Sequence, residues 1–168
     1  EMANARHDTA DLGLAYVSYF QSLNNMNRDE GFMTDVYPAL TFLSDTKQYD
    51  YYFALYNMLV NRLFSHRFYQ KAQDEAADMY LQAKKLQQPL GMAMALRVQG
   101  QIYYKLNLYD KAYASLQEGR EICPSYQENL NTFMTAQSLC EWLIMTCIKT
   151  EAFEELLPLA DHYGDMLA

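Results

Sequence analysis

Three histidines, three cysteines and a few close carboxylates are the residues here with the most direct chemical potential. A zinc or general-base site would need histidines at helical spacing, as in H-E-x-x-H. His7, His66 and His162 are far apart in sequence and sit in no such pattern, so each is expected to be a surface or capping residue. Cys123, Cys140 and Cys147 form no C-x-x-C pair. Cys140 and Cys147 lie two turns apart on one helical face, about 10 Å at 1.5 Å per residue, too far for a disulfide. Three buried free thiols are expected, and they do not reveal the compartment. Cys123 precedes Pro124 but has no base beside it to make it a nucleophile. Asp74-Glu75 with Asp78, and Glu154-Glu155, fall near predicted helix starts, where carboxylates favour the helix dipole. Glycine-rich phosphate loops and G-x-S-x-G elbows are absent from the sequence. The expectation is a chain with no catalytic residue, no metal ligand set and no cofactor.

The elements that would position any site are helical. Gly (6) and Pro (4) are scarce among 168 residues, while Leu, Ala, Met, Gln and Glu abound. Apolar spacing predicts eight helices, at 8–25, 29–46, 49–66, 69–87, 90–106, 109–122, 126–149 and 152–167. Short links between them force antiparallel hairpins. Pro38 and Pro158 fall inside the second and eighth, where each is expected to kink or split its helix. No strand is predicted. A formal charge of −8 with only 13 scattered Lys and Arg argues against nucleic acid and against docking on anionic lipid. No apolar run approaches the roughly 18 residues that a membrane span needs. The sequence starts at Glu1 with no signal-like segment, and it is expected to be a piece of a longer polypeptide.

Ala93 to Tyr126 carries a repeat signature. Leu96 takes a large apolar position, Gly100 a small one, and Tyr103 follows. Tyr109 and Ala112 open the second helix, Leu116 and Gly119 continue its inner face, and Pro124 ends the unit. Small residues at Gly100, Ala112 and Gly119 would let two helices approach closely. Tyr69-Gln70-Lys71-Ala72 anticipates Tyr109-Asp110-Lys111-Ala112 at an offset of forty residues, and Phe153-Glu154-Glu155-Leu156 echoes it.

This pattern resembles the tetratricopeptide repeat. The resemblance implies an all-α, tetratricopeptide-like superhelix, an α-α solenoid of about four antiparallel helix pairs. It treats residues 1–168 as a single repeat domain, with its best repeat at 93–126 and degenerate repeats at about 8–46, 50–88 and 127–167. Spacings longer than the 34-residue consensus imply lengthened flanking helices. The stretch Met94 to Tyr104, with Tyr109-Asp110-Lys111-Ala112 and the aromatic run Asp50 to Tyr56, is similar to the tetratricopeptide sensor regions of bacterial histidine kinases.

In such arrays the first helix of each pair lines a concave groove. The family frame places Asn57, Asn61 and Phe64 in that groove, with Ala54 and Ser65 beside them. From the best repeat it adds Met94, Arg97, Gln101, Tyr104 and Lys105, and from the last Glu141, flanked by Ser138, Met145, Ile148 and Lys149. Amides can donate to and accept from a peptide backbone, and Arg97 could grip a carboxylate. A carboxylate clamp of the chaperone-binding kind is not expected, since Asn57 stands where that clamp has Lys. Tyr51, Tyr52, Phe53 and Tyr56 are read mainly as core.

The resemblance thus implies a protein-interaction or sensing module of a bacterial signalling protein, in the extracytoplasmic, periplasmic input region of a membrane-anchored sensor histidine kinase. Its partner would be a protein or peptide in the groove, with no nucleic acid and no direct membrane contact. A cytoplasmic adaptor holding a peptide is the alternative, and a homodimerising scaffold with an outer aromatic patch is a third reading.

Overall fold

Lys47, Arg67, Gln87 and Asn107 recur every twenty residues, and all four adopt left-handed backbone, with φ of 56°, 64°, 55° and 61°. Each ends a helix in the same way. The amide three residues after the helix reaches back to a carbonyl five residues earlier: Gln48 to Leu43, Phe68 to Leu63, Gln88 to Ala83 and Leu108 to Tyr103, at 2.8–2.9 Å. This six-to-one closure satisfies carbonyls that the helix end leaves open and turns the chain back in three residues.

The computed structural model describes residues 2–26 and 28–168, with side chains described from residue 11 onward except at 27. Among them are eight helices and no strand: α1 (Met2–Asn25), α2 (Asp29–Asp45), α3 (Tyr49–Ser65), α4 (Tyr69–Lys85), α5 (Pro89–Lys105), α6 (Tyr109–Ile122), α7 (Leu130–Thr150) and α8 (Phe153–Leu167). Consecutive helices pack on one another as antiparallel pairs, the arrangement of an α-solenoid. Helices α2 to α5 are each 17 residues long and start at 29, 49, 69 and 89, with α6 following at 109. The forty-residue offset seen in the sequence is therefore two 17-residue helices and two three-residue turns.

Contacts divide the chain into two compact units, with the boundary inside α3 after Arg62. In the first, Phe20, Phe32, Val36, Leu43, Leu55 and Leu59 are fully buried, and the rings of Phe20 and Phe32 meet edge to face at 5.2 Å. Tyr52, Phe53 and Tyr56 are buried and touch one another, so most of the aromatic run is core, as expected. In the second unit α5 lies centrally, packed on α4, α6 and α7. Leu116, Leu139, Leu143, Cys147 and Leu159 form its core with Ala93.

The small residues do what their spacing implies. A Cβ on Gly100 would lie 2.4 Å from Leu116 Cγ, and one on Gly119 would lie 2.9 Å from Leu139 Cδ2. Only glycine permits those approaches. Ala72, Ala76 and Ala83 of α4 and Ala112 of α6 are also completely buried.

Three expectations change. Helix α7 starts at Leu130, not 126, because Asn129 and Thr132 form a reciprocal cap that holds Asn129 extended. Neither α2 nor α8 splits at its proline. Pro38 and Pro158 lie on exposed faces, and the residues four before them, Thr34 and Glu154, are exposed too, so water can serve the freed carbonyls. Pro89 belongs to α5 as its first residue, where its missing N–H costs nothing.

Candidate functional site

Trp142, the chain's single tryptophan, gathers most of the polar and aromatic residues that the sequence singles out in the second unit. Its ring meets Tyr104 edge to face at 5.3 Å and Phe64 at 6.2 Å. The Lys105 ammonium sits 5.6 Å from the indole centroid, within cation–π range. The Gln101 amide, with its oxygen turned to two donors, accepts from Trp142 Nε1 at 2.7 Å and from Arg97 Nη1 at 3.1 Å. Trp142, Tyr104 and Phe64 are half-buried and Lys105 is exposed, so the cluster reaches the surface.

The turns brace these rings. Tyr69 and Tyr109 open α4 and α6, and each packs on the aromatic five residues before it, Phe64 at 5.7 Å and Tyr104 at 5.4 Å. The forty-residue repeat thus delivers two equivalent aromatic clasps, both against Trp142.

Beneath the rings lies a buried charge. Arg97 is 8% exposed and hydrogen-bonded to Gln101, which is itself 5% exposed. Its position differs from the expected surface grip on a carboxylate: it anchors Gln101, and through it the indole. Burial pulls its pKa down to about 10, still far above neutrality, so it stays charged under ordinary conditions. Met94, expected in the groove, is 3% exposed and belongs to the core.

Glu141 lies beside Trp142 on α7 and is held by one donor from α8 and one from α7 itself. Tyr163 Oη donates to it at 2.7 Å and Gln137 Nε2 at 3.2 Å. The bond to the Glu141 carboxylate raises the Tyr163 pKa above the usual tyrosine value. Asn57 and Asn61 lie in the first unit, half-buried, with Asn61 Nδ2 donating to the Asn57 carbonyl at 2.7 Å and to its side-chain oxygen at 3.0 Å.

Sequence reasoning missed Trp142. The family frame carried onto α7 selected Glu141, one position away. The available signal was a lone tryptophan within a turn of Ser138, Glu141 and Met145.

The three cysteines are poor nucleophiles in their surroundings. Cys140 and Cys147 are buried and Cys123 is half-buried, which corrects the expectation that all three are buried. Burial raises all three thiols, Cys123 to about 11, and leaves them protonated and weakly nucleophilic at neutral pH. Cys123 and Cys140 line a small cavity of about 180 Å³ with Arg120, Tyr126 and His162. His66 stacks near Phe68 on an exposed turn, and the His7 side chain lies outside the described residues. Among the described residues no three His, Cys, Asp or Glu side chains are grouped to hold a metal ion, and no helix is long and apolar enough to cross a membrane.

Comparison with protein-family models, with curated proteins and with solved structures finds no match to this chain.

Proposed function

We propose that this chain is a protein-interaction module that holds a peptide segment of a partner against the Trp142 face, and that it serves as the sensing region of a bacterial signalling protein. The observation that carries the binding reading is the part-exposed trio of Phe64, Tyr104 and Trp142 with Lys105 over the indole. Tryptophan and tyrosine with one face open and one edge hydrogen-bonded are the side chains that most often anchor a partner. Gln101 and Arg97 pre-order the indole, which lowers the conformational cost of binding. Helical pairs that touch only their neighbours also suit an extended ligand lying across several helices.

The narrower assignment, the extracytoplasmic input region of a sensor histidine kinase of the tetratricopeptide type, rests on the sequence resemblance. The forty-residue pair, longer than the 34-residue consensus, is compatible with the elongated repeats of that group. Ligand binding would shift a downstream two-state element by its differential affinity for the two states. The parent gene tests this assignment. A signal peptide before Glu1 with a membrane helix and kinase core after Ala168 is the expected outcome, and a chain of further repeats without a membrane segment overturns it.

Peptide binding is tested with peptides selected from a displayed library on the 168-residue chain, read by Trp142 emission. Selected peptides should shift the emission, and Tyr104→Ala and Lys105→Ala should each weaken binding about tenfold, the loss of one anchor worth about 1.4 kcal/mol. Peptides that bind with unchanged emission and equal affinity for both variants would remove this face from the site.

A further inference from the structure

Helix α8 is apolar on two faces, and the fold uses only one. Leu159 and Met166 are buried, with Leu156 and Tyr163 half-buried beside them. Leu159 and Leu156 join the core that Leu139, Leu143 and Cys147 of α7 help to build. A second stripe runs the length of α8 at helical spacing: Phe153, Leu157, Ala160, Gly164 and Leu167. All five are exposed, Leu157 at 70%, Phe153 at 60% and Leu167 at 55%. A Cβ on Gly164 would meet nothing within 4 Å, so the middle of the stripe is open enough for another backbone to approach.

The stripe has a charged border. Glu154, Asp161 and Asp165 recur at i, i+7 and i+11 along one edge, all exposed, and α8 contains no Lys or Arg. Exposed apolar rows of this kind are the footprint of a docked helix, read as i, i+4, i+7 anchors. An acidic border selects for a partner carrying positive charge at the matching edge.

The geometry points to α8 as the docking site for a basic amphipathic helix of a protein partner, one that lays a Leu-type stripe on Phe153, Leu157 and Leu167 and pairs Lys or Arg with Glu154, Asp161 and Asp165. A second copy of this chain fits less well. Two α8 helices meeting antiparallel about a two-fold axis would bring acidic edge against acidic edge, and like charges placed so disfavour association. The inference is independent of the peptide reading of the Trp142 face, which uses α3, α5 and α7.

The test uses the full 168-residue chain and a synthetic 18-residue Leu/Lys peptide patterned as an amphipathic helix, labelled for fluorescence anisotropy. A shuffled peptide of the same composition controls for bulk charge. The patterned peptide should bind at least tenfold more tightly than the shuffled one. Leu157→Asp, at a site too exposed to disturb the core, should remove that preference. The triple charge reversal Glu154→Lys, Asp161→Lys, Asp165→Lys should transfer it to a Leu/Glu peptide of the same pattern. Equal binding of patterned and shuffled peptides, or equal binding by the parent chain and both variants, would overturn the proposal. So would concentration-dependent dimerisation of the chain that Leu157→Asp abolishes, because that would assign the face to a second copy.

Discussion

Arg62, 5% exposed near the end of α3, donates from Nε to Asp29 Oδ1 at 2.8 Å, while its Nη1 reaches Asn24 Oδ1 at 2.7 Å. Asp29 is the first residue of α2 and Asn24 lies in the last turn of α1, so one guanidinium ties the three helices of the first unit together. The charge also lies 4.9 Å from the Phe32 ring centroid. Asp29→Ala leaves that buried cation without its carboxylate and should cost about 1–3 kcal/mol. The lower part of the range is expected because the Asp29 side chain is 54% exposed and water can replace part of it. Arg62→Met, which removes the charge and keeps the stem, should cost less than Asp29→Ala. Urea denaturation of both variants checks the order.

One substitution made at three glycines should give opposite signs. Gly100→Ala would drive its Cβ to 2.4 Å from Leu116 Cγ, a branch point in a fully buried side chain. The overpacking cost of about 1–3 kcal/mol should exceed the helix-propensity gain of nearly 1 kcal/mol. Gly119→Ala meets the tip of Leu139 and should be milder. Gly164→Ala meets nothing and should stabilise by about 0.5–1 kcal/mol. Thermal midpoints of the three variants read the ranking directly.

The left-handed turn residues predict a gain. Lys47, Arg67 and Gln87 hold a backbone conformation that costs a side chain about 1–2 kcal/mol and costs glycine little. Each change to glycine should raise stability by up to about 1 kcal/mol, after the extra freedom of glycine in the unfolded chain is subtracted. Asn107 should gain least, since asparagine already tolerates this region. Denaturant midpoints for the four single variants test the order.

Alkaline pH should weaken the second unit through its thiols. Burial raises Cys123 from 9.0 to about 11 in the folded chain. An unfolded chain therefore loses that proton first, and stability present below pH 9 drains away as pH rises toward 11. Tyr113, raised to about 12 chiefly by its hydrogen bond to Glu155, extends the same trend from pH 10 upward. Cys123→Ala should flatten the profile between pH 9 and 11 by about 1–2 kcal/mol, less than the full shift implies because the half-buried thiol is partly screened by water. An unchanged slope in that variant would place the sensitivity elsewhere.

Much of the fold was legible because its determinants are local. Apolar periodicity located all eight helices, and the start of α6 at Tyr109 came from a motif that repeats forty residues apart. Gly100, Ala112 and Gly119 identified the close helix contacts because only small residues satisfy them. The start of α7 was missed because a side-chain cap at Asn129 outweighed the apolar pattern continuing from Tyr126. The recurring turn escaped notice because Lys47, Arg67 and Gln87 are not the residues that usually mark left-handed backbone. Phe64, Gln101, Tyr104 and Lys105, read from the sequence as groove residues, all lie against one tryptophan. Their common centre, Trp142, depends on packing between α5 and α7 that no local pattern encodes.

The even spacing of helix starts limits how a chain of this design can change in length. Chain direction reverses with every twenty-residue helix and turn, so deleting one such unit from the second half would invert the polarity of every later helix. The face prepared for a neighbour would then meet solvent. Removing or duplicating forty codons restores direction and aromatic clasp together. Viable length variants should therefore differ by whole helix pairs, which makes the pair, rather than the helix, the heritable unit of this architecture.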